Sequence, residues 1–174
     1  WHTVQMWKEL GATRVVAARE VSLADLKEMK DNVDIEIESF VHGSMCISYS
    51  GRCLLSNYMT GNRDANRGQC SQSCRWKYSL VESNRPGEYY PIEEDEHGTY
   101  IFNSKDLCLI HRIPVLYEAG VDSLKIEGRM KSVHYCATVA KVYRTAIDTY
   151  LKEGKDWYVR PESVSYTHLR AHET

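Results

Sequence analysis

The N-terminal part of the chain alternates between apolar and polar positions in a way that predicts a strand, a helix and a second strand. Residues 14–19, RVVAAR, form a short apolar run typical of a buried strand. Ser22, with Asp25 three residues later, has the pattern of a helix capping box. Residues 34–40 alternate again and predict a strand, with Ile35 and Ile37 on one face and Glu36, Glu38 and Phe40 on the other.

The C-terminal part repeats this order. Residues 107–119 predict a helix that accommodates Pro114 and ends at Gly120. Residues 122–127 predict a third strand, with Leu124 and Ile126 on one face and Lys125 and Glu127 on the other. A long amphipathic helix follows, with apolar positions Val139, Val142, Tyr143, Ala146, Ile147, Tyr150 and Leu151. The alternation indicates an α/β fold with parallel strands, either a barrel or an open sheet.

Residues 43–99 are polar and rich in Gly, Ser, Asn, Arg and Tyr, and predict a long cysteine-rich excursion from the sheet. We therefore expect one partial β/α domain over residues 1–158. Three predicted strands cannot close a barrel and the chain opens at Trp1, so we expect a fragment. Residues 159–174 are expected to be non-native or disordered, because SYTHLRAHET resembles translated adapter read-through.

Composition narrows the function classes only slightly. The chain has 174 residues, 43% hydrophobic and 26% charged, with a formal net charge of -2. It contains no long apolar run, so no membrane span is predicted. The near-neutral balance gives no global case for nucleic acid, and any RNA contact has to come from a local patch. Six cysteines without a secretion signal favour the reducing cytoplasm.

A basic and aromatic segment supplies the candidate RNA patch. Within NRDANRGQCSQSCRWKY, arginine and lysine offer phosphate contacts, while aromatic rings offer stacking surfaces for unpaired bases. The candidates are Arg63, Arg67, Arg75, Trp76 and Lys77. A solvated loop held by ion pairs explains the same residues equally well.

The cysteines are the strongest candidate site. Five of them fall in or beside the excursion: Cys46, Cys53, Cys70, Cys74 and Cys108. Thiolates bind soft metals, and four can hold zinc or an iron–sulfur cluster. The sequence lacks the tight Cys-x-x-Cys knuckle of zinc ribbons, and the wide spacing suits a cluster held by a loop better. Buried free thiols remain an alternative, as does a disulfide.

Polar residues also occur at predicted strand ends, where the active sites of parallel barrels lie. Arg19 and Glu20 end the first predicted strand. The candidate catalytic residues lie on the other two strands or just beyond their ends: Glu38, His42, Lys125, Glu127 and Arg129. Buried charges are costly unless they are paired or functional, so structural Glu–Lys and Glu–Arg pairing is the alternative.

The stretch ESFVHGSMCISYSGRCLLS resembles the signature of the U32 peptidase family, historically called collagenase-like proteases. The matching positions are Glu38, Phe40, Gly43, Ser44, Met45, Cys46, Gly51, Cys53, Leu55 and Ser56. The resemblance continues through NRGQCSQSCRWKY, SKDLCLI and DSLKIEGRMKS, and covers residues 1 to about 158.

The resemblance implies a partial TIM-barrel-like domain and an enzyme that hydroxylates RNA. It is greatest to the branch that makes 5-hydroxyuridine at the tRNA wobble position with prephenate as a linked oxygen source, whereas other members act on rRNA. It also implies a [4Fe–4S] cluster, on Cys46, Cys53, Cys70 and Cys108. Cys74 is an alternative ligand, and Cys136 is expected to be an ordinary buried thiol. A peptidase and a non-catalytic, metal-stabilised binding module remain the other interpretations, although HExxH is absent.

Overall fold

The computed structural model describes residues 1–46, 48–76, 78–91, 106–129, 131–161 and 163. The tail SYTHLRAHET, Lys77 and the end of the predicted excursion lie outside the described residues. The chain divides into two compact units, which we call the sheet unit (Trp1–Met45 with Asp106–Thr174) and the cysteine unit (Cys46–Lys105).

The helices and strands include the predicted succession of strand, helix and strand, then helix, strand and helix, together with a first helix and several short elements that the sequence does not predict. The helices are α1 (His2–Glu9), α2 (Leu23–Asn32), α3 (Leu55–Thr60), α4 (Ile113–Glu118) and α5 (Val133–Glu153). The strands are β1 (Arg14–Val16), β2 (Glu36–Gly43), β3 (Ser79–Leu80), β4 (Tyr90–Pro91), β5 (Leu107–Cys108) and β6 (Ser123–Glu127). Single 3-10 turns cover Ala65–Arg67, Ser73–Arg75, Ile110–Arg112 and Gly154–Asp156.

β2 is the central strand of the sheet unit. It pairs in parallel with β1 on one side and with β6 on the other. The two residues of β5 pair antiparallel with the end of β2. They lie on the same edge of β2 as β1, which pairs with the start of the strand. The prediction of an α/β fold with parallel strands is therefore confirmed. β3 and β4 form a separate antiparallel pair in the cysteine unit.

One face of the sheet carries the hydrophobic core. Ile37 of β2 packs in a cluster with α1 and α2, while Val41 packs in a cluster with α4 and α5. Leu23 and Val121 pack against both clusters, so the two are continuous. Burial of apolar side chains against these helices is the main stabilising term for the unit. The opposite face bears the charged residues of β2 and β6.

The predicted capping box and strand faces are confirmed. The Ser22 hydroxyl accepts the Asp25 backbone N–H, and the Asp25 carboxylate accepts the Ser22 N–H, which fixes the start of α2. Ile35 and Ile37 are buried, whereas Glu36 is exposed. The predicted alternation therefore survives in the folded sheet.

Two predicted elements have different bounds. β1 ends at Val16, so Arg19 lies in the loop after the strand rather than at its end. The prediction of a helix over residues 107–119 is wrong in its first half, because the Leu109 N–H donates to the Val41 carbonyl and holds this segment on the edge of β2. α4 begins only at Ile113, with Pro114 in its first turn, where proline is tolerated.

A β-bulge interrupts β2 between Phe40 and His42. Beyond it Gly43 pairs with Glu127 and has a φ of 98°, in the left-handed region. A Cβ at Gly43 would lie 2.0 Å from the Glu127 carbonyl oxygen. Only glycine satisfies both the backbone conformation and this close approach.

Replacing Gly43 with alanine is expected to destabilise the protein by more than the roughly 1–2 kcal/mol that left-handed strain costs alone. Gly11→Ala is the matched control, since Gly11 has a φ of 96° with nothing within 4 Å of its would-be Cβ. Denaturant unfolding of both variants measures the difference. Equal losses of stability would show that the contact with Glu127 is unimportant.

Candidate functional site

Glu38 and Lys125 form an ion pair on the polar face of the sheet. Lys125 Nζ donates to Glu38 Oε1 at 2.9 Å, and the Ser123 hydroxyl donates to Glu38 Oε2 at 3.0 Å. β2 and β6 create this contact through their register, which places Glu38 opposite Ser123 and Phe40 opposite Lys125. The side chain of Glu38 is only 13% exposed, so its charge depends on these partners.

A second basic residue, Arg14 of β1, completes the cluster. Its guanidinium lies 2.7 Å from Glu36 Oε2 and 3.4 Å from Glu38 Oε2. The hydrogen bond from Lys125 holds the pKa of the Glu38 carboxyl below its usual range; Ser123 and the charge of Arg14 act in the same direction, and burial opposes them. Glu38 is therefore a stable anion at neutral pH.

The ring of Phe40 lies between two cations. The Arg19 guanidinium carbon sits 3.8 Å from the ring centroid, and Lys125 Nζ sits 5.4 Å from it. Both distances are within the range of cation–π attraction. The sequence contains Arg19 and Phe40 but gives no signal of this contact, because the loop after β1 has to fold back over the sheet.

Glu127 and Arg129 continue the polar face along β6. Glu127 Oε1 accepts the backbone N–H of Arg129 at 3.0 Å, and Arg129 is exposed. The predicted candidates Glu38, Lys125 and Glu127 thus share one face. Their catalytic role stays a prediction.

His42 lies elsewhere. As a candidate catalytic residue it is expected on the polar face with Glu38, but the bulge after Phe40 makes His42 pair with Ile126 on the core face. His42 is 1% exposed, and its ring lies 5.5 Å from that of Tyr143 and 6.0 Å from that of Tyr135. The two-residue alternation of side chains along a strand does not predict where a β-bulge occurs.

The sequence does not predict the polar contacts around His42. The Tyr143 hydroxyl donates to the Val41 carbonyl at 2.8 Å and accepts the Leu109 N–H at 3.1 Å, with His42 Nδ1 3.4 Å away. Burial raises the pKa of Tyr143, so the phenol stays neutral. Tyr143 therefore holds the end of β2 against α5.

A partly buried ion pair lies beside this network. Lys131 Nζ is 3.0 Å from Asp106 Oδ2, and the lysine side chain is only 8% exposed. The Tyr135 hydroxyl is 3.5 Å from the same carboxylate, and the lysine lies 5.1 Å from the tyrosine ring. These contacts join the start of α5 to the residue before β5.

Four cysteines belong to the cysteine unit. Burial raises the pKa of the Cys74 thiol; the charge of Arg75 opposes this, and the charges of Cys70, Cys46 and Cys53 add to it. Each of these three sulfurs therefore lies within electrostatic range of Cys74. The structure brings Cys74, the alternative ligand, to the three predicted ligands of this unit.

Backbone N–H groups form hydrogen bonds that fix the segment around Cys70. Gln72 has a φ of 53°, and its N–H donates to Cys70 Sγ at 3.3 Å. Ser56 and Ser71 are buried, and Ser71 N–H and Oγ both lie 2.9 Å from Ser56 Oγ. Ser56 lies in the first turn of α3, which follows Cys53, so this contact joins the Cys53 and Cys70 segments.

The donors in the cysteine unit fit a soft metal or an iron–sulfur cluster. All six cysteines of the chain are free thiols, and an N–H donor to sulfur is the kind of contact that tunes such clusters. Among the residues of this unit whose burial the structure describes (46, 48–76, 78–79 and 81–89), the buried side chains are serines: Ser56, Ser71 and Ser73. A metal cross-link between the thiols would add stability to this polar part of the unit.

The geometry by itself leaves the ligand set open. Within the described residues no group of three or more His, Cys, Asp or Glu side chains has the arrangement of a formed metal site. Cys108 belongs to the sheet unit, on β5. Cys136 is partly buried on α5, with its Sγ 3.5 Å from the Gly128 carbonyl oxygen, as expected for a packed thiol.

The predicted RNA-binding residues lie in the cysteine unit. Arg67 is 83% exposed in its side chain, with a loose contact to Asp64 at 3.8 Å. Arg63 is exposed and its Nε donates to the Gln69 carbonyl, and Trp76 is 44% exposed. Arg75 is half-buried near the thiols, and Lys77 lies outside the described residues. Their role in binding RNA stays a prediction.

Comparison with known proteins matches the model of "Peptidase family U32" over residues 1–172. The chain is 53% identical over 93% of its length to "tRNA hydroxylation protein P1" of Bacillus subtilis, and 44% identical over 85% to "tRNA hydroxylation protein P" of Escherichia coli. It is 36% identical over 85% to the "23S rRNA 5-hydroxycytidine C2501 synthase" of Escherichia coli, of which it covers 21%.

The chain spans about two fifths of the length of the first two relatives, 38% and 41%. No solved structure matches the chain. Among the described residues, no helix is both long enough and apolar enough to span a membrane.

Glu38→Gln is expected to lower the free energy of unfolding at pH 7 by on the order of 1 kcal/mol, because Lys125 and Ser123 lose a charged acceptor. The folded-state pKa of Glu38 is lowered, so its stabilisation is complete above about 4.3, the ordinary glutamate value, and is lost as the pH falls through the folded pKa. Denaturant unfolding at pH 7 and at acidic pH measures this. Exposed Glu28→Gln is the control, and a wild-type advantage that persists unchanged in acid would contradict the assignment.

Proposed function

This chain belongs to peptidase family U32, and from that membership we propose that the protein hydroxylates RNA, with tRNA wobble uridine as substrate and 5-hydroxyuridine as product. The support comes from relatives named as tRNA hydroxylation proteins at 53% and 44% identity. A relative named as an rRNA hydroxycytidine synthase is less similar, at 36% identity. We therefore favour tRNA over rRNA.

The observation that carries the proposal is the group of four free thiols in the cysteine unit of a chain so similar to these proteins. We propose that Cys46, Cys53 and Cys70 hold a [4Fe–4S] cluster, with Cys108 as the fourth ligand and Cys74 as the alternative. Such a cluster supplies one-electron transfer when bound. The Gln72 N–H and the Ser56–Ser71 contact hold the backbone around Cys70 in place for it.

The sheet unit is proposed to be part of a TIM-barrel-like domain with its polar face inward. Parallel strands with all core clusters on one face support this architecture. Glu38, Lys125, Glu127 and Arg129 then lie where barrel enzymes bind their substrates. Their ion pairs orient polar side chains toward the substrate, and prephenate is proposed as the linked oxygen source.

The cysteine unit is proposed to contact the RNA. Exposed Arg63 and Arg67 supply positive charge for phosphates, and exposed Trp76 supplies a stacking surface. Arg75 and Lys77 are proposed to add to this surface. An RNA substrate and a set of reduced thiols agree with action in the cytoplasm.

The anaerobically purified full-length protein is expected to contain about four irons and about four sulfides per chain and to absorb visible light. Cys46→Ser is expected to lose most of this iron, because one ligand is removed. Cys136→Ser is the control, since Cys136 packs against Gly128 in the sheet unit. A folded, colourless and iron-free wild type would contradict the cluster.

The fourth ligand is decided by the same measurement on Cys74→Ser and Cys108→Ser. The variant that loses iron and sulfide identifies the ligand, and the other is expected to retain them.

A strain that lacks the gene is expected to lose 5-hydroxyuridine from its tRNA and to regain it with the wild-type gene, because the modification depends on the protein. Cys46→Ser is expected to restore none and Cys136→Ser to restore it fully, as measured by mass spectrometry of tRNA nucleosides. Unchanged 5-hydroxyuridine, together with peptide hydrolysis by iron-free protein, would favour a peptidase instead. Unchanged modification with neither activity would favour a metal-stabilised binding module.

A further inference from the structure

The cations on the polar face are not all balanced by carboxylates. Arg14 pairs with Glu36, and Lys125 pairs with Glu38. Arg19 contacts the ring of Phe40, and no carboxylate among the described residues lies within ion-pair distance of it. Arg19 is therefore the cation of this cluster whose charge no ion pair among the described residues neutralises.

The guanidinium of Arg19 is held in a defined place. It lies 3.8 Å from the centroid of the Phe40 ring and is half-buried. An arginine stacked on a ring keeps its N–H donors in the plane of the guanidinium, where they can bind a planar oxyanion at two points. Because the aromatic contact restrains the side chain before any ligand arrives, little rotamer entropy remains to be lost on binding.

The position of this arginine in the fold also points to a ligand. Arg19 follows the carboxyl end of β1, and Phe40 lies in the second half of β2, directly opposite Lys125 of β6. Ligands of parallel α/β sheets bind at the carboxyl ends of the strands. Glu127 lies further along β6, where its carboxylate accepts the Arg129 N–H.

We propose that Arg19, positioned by the Phe40 ring and supported by Lys125, binds an oxyanion: the carboxylate of a small organic acid or a phosphate of the RNA. Lys125 contributes a second positive charge 5.4 Å from the same ring centroid, and its pairing with Glu38 keeps it on this face. An oxyanion is thus the ligand class of this face. Only the two candidate sources, a small organic acid and RNA, rest on the proposed function.

The test measures binding to the full-length protein without turnover, so a failure of hydroxylation does not affect it. The probes are malonate and inorganic phosphate by calorimetry, and a single-stranded RNA oligonucleotide by fluorescence anisotropy over a range of salt. Arg19→Met keeps the apolar stem on Phe40 and removes the charge. It is expected to weaken binding of the responsive probe by about tenfold or more. Arg112→Met, at an exposed arginine before α4, is the matched control and is expected to bind as the wild type does.

The probes distinguish the two sources of the oxyanion. Loss of malonate or phosphate binding in Arg19→Met supports a small-molecule anion. The outcome is different if neither small anion binds to the wild type. An RNA phosphate is then supported if Arg19→Met reduces the slope of log RNA affinity against log salt concentration by about one. Phe40→Leu is expected to weaken the same probe, because the guanidinium loses its platform.

The proposal is overturned if folded Arg19→Met binds all three probes with wild-type affinity and salt slope. If Arg19→Met does not fold, Arg19→Lys decides, since it keeps the stem and the charge but loses the two-point donor. Several-fold weaker binding by Arg19→Lys supports the proposal, and wild-type binding of every probe overturns it.

Discussion

The pairing of β2 with β6 determines where the candidate functional groups lie. Its register sets Glu38 opposite Ser123, and its bulge after Phe40 turns His42 into the core. Beyond the bulge, the missing side chain of Gly43 allows the Glu127 backbone to approach closely. A different register would move each polar side chain to the wrong face, because side chains alternate along a strand.

The two faces of this sheet are stabilised by different interactions. One buries Ile37 and Val41 under helices, which supplies the apolar burial that stabilises the unit. The other keeps Glu38 nearly buried at an acceptable cost, because Lys125 and Ser123 satisfy its oxygens. Charge on this face is therefore a structural requirement as well as a candidate source of chemistry, and the two roles are compatible.

The cysteine unit is organised by other forces. Short turns and the buried Ser56–Ser71 hydrogen bonds hold its described part, and the side chains known to be buried there are serines. This part therefore has little apolar burial to offset its conformational entropy. A cluster on its thiols would then contribute folding free energy as well as redox chemistry, which links the proposed cofactor to the stability of the proposed RNA surface.

The sequence by itself determined the elements whose causes are local: the capping box of Ser22 with Asp25 and the alternation of β2 up to its bulge. It also identified the cysteines as candidate metal ligands, because residue type and spacing are visible in the sequence. Only the tertiary structure placed the segment before α4 on the edge of β2, gathered Cys74 with the other thiols and set Arg19 on Phe40. Those contacts join residues distant in the chain, and they depend on a bulge and on loop paths that no periodicity encodes.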